Sequence, residues 1–164
     1  MIIRILFVCH GNICRSTMAQ SYFAWLAGEN NLSYMFETDS AATSSEEIGN
    51  GPHPGTVREL KKHHIPVIPH AARRMTAADA QYYDLLIGMD EENMYNMRRI
   101  AGHKYEDKLH LLLDFAPDAS HKKGREVDDP WYTGDFKAAY RDIEDGCTGL
   151  LEYCRREGVS FRRS

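Results

Sequence analysis

The sequence predicts an α/β protein: an open, parallel sheet with helices packed on it. Two observations carry this. Short apolar, β-branched runs alternate along the chain with segments whose apolar residues recur every three to four positions. The first such run leads directly into a Gly-containing loop and then a helix, the start of a βαβ unit. A third observation sets the scale. A chain of 164 residues suits one domain, 1–164, able to bury about 70% of its unfolded surface without a disulfide or metal staple.

The elements follow in order. Residues 2–8, interrupted only by Arg4, read as a buried strand. Residues 16–30 read as a helix, with Met18, Tyr22 and Trp25 beside Ala19, Phe23 and Leu26 at helical spacing. Residues 34–39 form a second strand, and the Ser-, Gly- and Pro-rich stretch 40–55 a loop. A short helix covers 56–63. Thr76-Ala77-Ala78-Asp79 has the form of a capping box and opens another. Residues 84–89 are a third strand. Asp90 then caps a helix running to about Ala101, whose Met94 and Met97 belong to the core. Residues 109–113 are the fourth strand, and 116–132 a long polar loop with Pro117, Gly124 and Pro130. The last helix, about 135–156, has an apolar face of Phe136, Tyr140, Ile143, Cys147, Leu150 and Cys154.

Composition removes several function classes. Hydrophobic residues are 43% and charged residues 27%, which excludes disordered and fibrous chains. The net charge of -4 argues against a nucleic-acid partner. Arg155, Arg156, Arg162 and Arg163 crowd one end, as last-turn cations of a solvated helix do. No apolar run is long enough for a membrane span. Four cysteines are too few for a disulfide framework, and residues 1–9 lack the form of a signal peptide, so a cytoplasmic setting is expected. The eight histidines show no metal-ligand spacing. Neither a metal nor another cofactor is expected.

Ligands of open α/β sheets sit beyond the carboxyl ends of the strands. The loop there reads Cys9-His10-Gly11-Asn12-Ile13-Cys14-Arg15-Ser16. Cys followed by Arg six positions later is weak evidence alone, but a strand feeds this loop and a helix leaves it. Gly11 and Asn12 stand where unusual backbone angles are needed. Converging backbone N–H groups and a helix N-terminus make an anion cradle. Arg15 offers a planar fork matching two phosphate oxygens. Such a field also favours a thiolate, which makes Cys9 a nucleophile aimed at bound phosphorus. A nucleophile needs a proton donor for its leaving group. Asp129, stiffened by Pro130 and followed by Trp131 and Tyr132, is the best candidate; Asp118 and Asp128 lack that setting.

These two segments together resemble the low-molecular-weight protein tyrosine phosphatases. The likeness runs over essentially the whole chain. Asp39-Ser40-Ala41-Ala42-Thr43, His70-Ala71-Ala72-Arg73 and Met89-Asp90-Glu91 match further signatures of the family in order. The resemblance implies a four-stranded parallel sheet with helices on both faces, of flavodoxin-like type. It implies hydrolysis of phosphotyrosine through a phosphocysteine on Cys9, with Arg15 binding phosphate and Asp129 as general acid and base. Asn12 would hold the loop's shape with Ser40 and His70 as hydrogen-bond partners, Ser16 would donate to the Cys9 sulfur, and Asp90 would support the site. His10, Gly11, Asn12, Ile13, Cys14, Glu46, Trp131 and Tyr132 would contact substrate. Cys14 would pair reversibly with Cys9 under oxidation. The implied partners are tyrosine-phosphorylated proteins, with inorganic phosphate as product and a monomer or weak dimer as the working form. Export without a signal peptide stays open.

Three positions depart from the family pattern: His10 and Glu46, where apolar or aromatic residues are usual, and His53, where an Asp is usual. Other activities of this fold remain. An arginine phosphatase tends to carry Thr where Ile13 stands. A thiol-dependent arsenate reductase needs further cysteines near the third strand, and residues 82–92 contain none. A phosphate-binding module without catalysis would not need Cys9, Arg15 and Asp129 together.

Overall fold

The computed structural model describes residues 2–117 and 125–158. Its elements run β1 (Ile3–Cys9), α1 (Arg15–Glu29), β2 (Phe36–Ala42), α2 (Pro54–Lys62), α3 (Ala77–Tyr82), β3 (Leu85–Gly88), α4 (Glu91–Ala101), β4 (Leu109–Leu111), α5 (Pro130–Thr133) and α6 (Phe136–Glu157). Short 3₁₀ turns at Ser33–Met35, His103–Lys108 and Leu112–Phe115 join them. The strands form one sheet in the order β2-β1-β3-β4, every pair parallel.

β1 is the centre of this sheet, which explains its nearly continuous apolar sequence. Ile3, Ile5, Phe7 and Cys9 point to one face, where α1, α2 and α6 cover them. Leu6 and Val8 point to the other, toward α3 and α4. Helices therefore lie on both faces, as expected. The chain leaves β1 toward β2 on one side and reaches β3 on the other, so the carboxyl end of β1 opens on a crevice.

Several boundaries differ from the sequence reading. β2 opens at Phe36 rather than at residue 34, because Ser33–Met35 is a 3₁₀ turn. Ser40, Ala41 and Ala42 belong to β2 rather than a loop, because they pair with Phe7, Val8 and Cys9 and are fully buried there. α2 starts at Pro54, two residues early, with the His53 ring capping it by accepting from the Gly55 N–H at 2.9 Å. After Leu111 the chain turns into 3₁₀ helix instead of extending to Leu113, and Pro130–Thr133 is a helical turn inside the presumed loop. The capping box at Thr76 and Asp79 forms as read, and so does the cap at Asp90. Asp118, Gly124, Arg162 and Arg163 lie outside the described residues.

Candidate active site

The loop from β1 to α1 is held in shape by one amide. Asn12 has φ 60°, is fully buried, and uses every polar atom of its side chain. Its Oδ1 accepts from the Arg73 backbone N–H at 3.1 Å. That donor fixes the amide's orientation, so His70 Nε2, 2.7 Å from the same oxygen, carries a proton. Asn12 Nδ2 in turn donates to Ser16 Oγ at 2.8 Å. Ser16 is thus an acceptor on that side, and its own proton is directed to Cys9 Sγ at 3.1 Å. Ser40, expected to bond Asn12 directly, donates to Gln20 Oε1 and touches Asn12 only through His70. Burial holds His70 below its ordinary range, against the opposing pull of Asp39.

Gly11 does not take a positive φ. Its lack of a side chain matters sterically, since a Cβ there would sit 3.3 Å from Glu47 Cγ. Thr17 and Thr56 donate to the Cys14 carbonyl, and His53 N–H to that of Ile13 at 2.7 Å. These bonds clamp the loop to α1 and α2. Burial, followed by the proximity of Cys9, pushes the Cys14 thiol up to about 12.

Arg15 opens α1 and is 1% exposed. One terminal nitrogen donates to Asp90 at 2.7 Å and to the Val127 carbonyl at 2.8 Å; the other lies 3.3 Å from Asp129 Oδ2. Burial opposes its charge, but Cys9, Asp90 and Asp129 more than offset this, and Arg15 is raised above its ordinary value. Nε is buried without a hydrogen-bond partner among the described residues. A guanidinium anchored at one end and unsatisfied at the other is a donor set for an oxyanion.

Asp129 reaches this place through the backbone of its own segment. The Val127 side chain is fully buried, and its N–H donates to the Met89 carbonyl at 2.9 Å, at the end of β3. Two residues later Asp129 caps α5, accepting from the Trp131 N–H at 3.0 Å, while Pro130 is buried in the first turn. Asp128 is exposed and does not line the cavity.

A cavity of about 70 Å³ is lined by Cys9, His10, Gly11, Ile13, Cys14, Glu46, Glu47, Asp129, Trp131 and Tyr132. Every residue expected to contact substrate lines it, with one exception. Asn12 does not, because its side chain is spent on the loop scaffold. Glu47 is a lining residue the sequence reading missed; its only signal was adjacency to Glu46. Asp39 and Arg73 were also passed over as site residues. Their ion pair, at 3.1 Å, stands behind His70. No cluster of metal-ligating side chains exists among the described residues.

The model for low molecular weight phosphotyrosine protein phosphatases matches residues 4–160. The chain belongs to this family. A low molecular weight protein-tyrosine-phosphatase of Bacillus subtilis, YfkJ, is 38% identical over 155 residues, covering 94% of this chain and 97% of that protein. The crystal structure of YfkJ superposes with a TM-score of 0.90 over 96% of this chain and 97% of that one. The human low molecular weight phosphotyrosine protein phosphatase is 36% identical over 152 residues, 90% of this chain and 93% of that protein. A Drosophila structure described as an arginine phosphatase aligns at 28% identity with a TM-score of 0.82, over 92% of this chain and 97% of that one.

The three departures from the pattern of the low molecular weight phosphatases now have places. His10 and Glu46, both lining the cavity, meet at 3.0 Å, His10 half-buried and Glu46 exposed. His53 is a helix cap stacked on Phe136, with the Trp131 ring edge-on to it. It supports the cavity wall from behind.

Proposed function

We propose that this phosphatase hydrolyses phosphotyrosine in proteins through a phosphocysteine intermediate. The observation that carries this reading is that Cys9 and Asp129 face one cavity while Arg15, buried beneath it, is tied to Asp129 and keeps Nε unsatisfied. The Cys9 thiolate attacks phosphorus, and the S–P bond forms as the P–O bond to the phenol breaks. Asp129 delivers its proton to the departing phenolate. Arg15 and the loop N–H groups hold the equatorial oxygens. In the second step Asp129 takes a proton from water, which attacks phosphorus. The thiolate leaves with the Ser16 hydroxyl donating to it, and inorganic phosphate is released. Ile13, Trp131 and Tyr132 supply the apolar and aromatic surface that suits a phenyl ring.

Cys9, Arg15 and Asp129 all come from one chain, in keeping with a monomer or weak dimer as the working form. No helix among the described residues is long and apolar enough to cross a membrane. All four thiols are free, in keeping with a reducing, cytoplasmic setting.

A second reading, arginine phosphatase, draws support from the carboxylates of Glu46 and Glu47 at the cavity wall, which suit a guanidinium. A comparison of kcat/KM on phosphotyrosine, phosphoserine and phosphoarginine peptides separates the two. Phosphotyrosine is expected to be the best substrate; a higher value for phosphoarginine replaces the first reading with the second. The role of Asp129 is tested in the same assay. Asp129→Asn should lower kcat on phosphotyrosine by about 10²–10⁴-fold. The loss should be much smaller on an activated aryl phosphate, provided phosphocysteine formation limits turnover. If Asp128→Asn shows this dependence on leaving group and Asp129→Asn does not, the acid is Asp128.

A further inference from the structure

Between the end of β2 and α4 lies a second polar concavity. It is a cleft of about 300 Å³ lined by Thr43, Arg74, Asn96, Arg99 and Ile100. Its two walls are fixed by the fold. Asn96, Arg99 and Ile100 are spaced i, i+3 and i+4 and so share one face of α4. The opposite wall is an extension of the sheet. Arg74 makes an isolated parallel bridge with Ala42, the Ala42 N–H donates to the Arg73 carbonyl at 2.7 Å, and the Met75 N–H to the Ala42 carbonyl at 2.8 Å. Thr43, next in the chain, donates its N–H to the Cys9 carbonyl at 3.0 Å.

The chemistry of the cleft is that of an anion receptor. In a chain of net charge -4, two guanidinium groups border it and no carboxylate lines it. Neither the Arg74 nor the Arg99 guanidinium has a hydrogen bond or ion pair among the described residues; that of Arg99 only leans over the Tyr95 ring, 5.8 Å from its centroid. The other arginines of the neighbourhood are engaged: Arg73 with Asp39 and Asp79, Arg98 with Glu106. Thr43 is 6% exposed, and its Oγ is buried with no hydrogen-bond partner among the described residues. A buried hydroxyl without a partner is an exception that calls for an occupant able to satisfy it. Asn96 uses one amide hydrogen on the Glu92 carbonyl at 3.1 Å, which leaves the second.

We propose that this cleft is a second oxyanion site, distinct from the catalytic cavity, and that it takes a phosphate group, free or monoesterified. Arg74 and Arg99 supply forked donors from opposite walls, and the Thr43 hydroxyl and the remaining Asn96 N–H complete the set. The site does not depend on the proposed catalytic reading, because it shares no side chain with the cavity that holds Cys9.

The test is a titration of the isotopically labelled full chain, followed by NMR through the backbone amides of Thr43, Asn96 and Ile100. Inorganic phosphate is one probe, and methylphosphonate, a stable stand-in for an esterified phosphate, is the other. The expected result is a saturable shift at these amides with a midpoint separate from that of residues 10–16. In the R74A/R99A variant the cleft midpoint should weaken by about three- to tenfold or more, while that of residues 10–16 stays in place. Both substituted side chains are exposed, so the fold is retained. Saturation by both probes assigns the phosphate group itself; by inorganic phosphate alone, the free ion; by methylphosphonate alone, an esterified ligand. Shifts that stay linear, or that follow the midpoint of residues 10–16 in both proteins, overturn the proposal.

Discussion

At the scale of single residues, the site depends on side chains whose bonds are partly committed before any ligand arrives. Arg15 spends one nitrogen on Asp90 and the Val127 carbonyl and keeps Nε in reserve. A lysine carries its three N–H donors on one nitrogen and cannot present a planar fork to an oxyanion while it bonds Asp90. Arg15→Lys is therefore expected to lower kcat by about 10²–10³-fold, the usual cost of one missing oxyanion donor. Single-turnover hydrolysis of an aryl phosphate measures this, and a loss of only a few-fold removes Arg15 from the transition state. His70 invites a test of a different kind. Burial depresses its pKa, so below about 6.5 the unfolded chain binds a proton that the folded chain resists. Its contribution to stability is complete above that pH and is lost as pH falls. Around it stand Asp39 at 3.6 Å, Arg73, Ser40 and Asn12. In His70→Gln a neutral amide still donates to Asn12. The gap in denaturation midpoint between wild type and variant should therefore narrow from pH 7.5 to pH 5. A constant gap means that His70 does not titrate against folding.

At the scale of elements, the local parts were readable and the long-range ones were not. The loop after β1 could be read because its strand, its turn residues and its arginine are contiguous in sequence. The network on Asn12 could not be derived that way, since His70 and Arg73 lie 58 and 61 residues away; only family likeness pointed to His70. The end of β2 was misread because Ser40, Ala41 and Ala42 are small and look like loop. Pairing with β1 overrides that composition. The loop also holds a second thiol. With Cys14 pushed up to about 12, peroxide should oxidise Cys9 first. The Cys14 thiol then attacks the sulfenic acid, water leaves and a Cys9–Cys14 disulfide forms. Wild-type enzyme treated with peroxide is expected to recover with a thiol reductant, and Cys14→Ser to lose activity irreversibly at the same dose. Equal recovery of both proteins rules this pairing out.

At the scale of the whole molecule, the cavity is built at one edge of a frame closed by α6, and closure depends on two residues that helix propensity disfavours. Gly146 and Gly149 lie inside α6, where each glycine costs about 0.5–1 kcal/mol relative to alanine. The sequence reading took the apolar stripe of this helix correctly and passed over the two glycines, whose reason lies in another element. They face the turn Leu112–Phe115, against which α6 packs. A Cβ at Gly146 would fall 2.5 Å from Leu112 Cγ, an atom that a rotamer change can move. A Cβ at Gly149 would fall 1.7 Å from the Phe115 carbonyl oxygen, which is backbone and cannot yield without shifting the turn or the helix. Propensity alone says that Gly149→Ala stabilises; packing says the reverse, and the overlap is too severe for propensity to win. Gly149→Ala should destabilise by about 1–3 kcal/mol or more, lowering Tm by about 2–4 °C for each kcal/mol. Gly146→Ala should cost clearly less. Neither residue lines the cavity, so kcat/KM on an aryl phosphate well below Tm should stay at the wild-type value in both variants. Calorimetry paired with that assay decides the matter. A higher Tm for Gly149→Ala would mean that α6 does not lie this close to the turn, and a fall in kcat/KM at full folding would mean that the turn and the cavity are not independent.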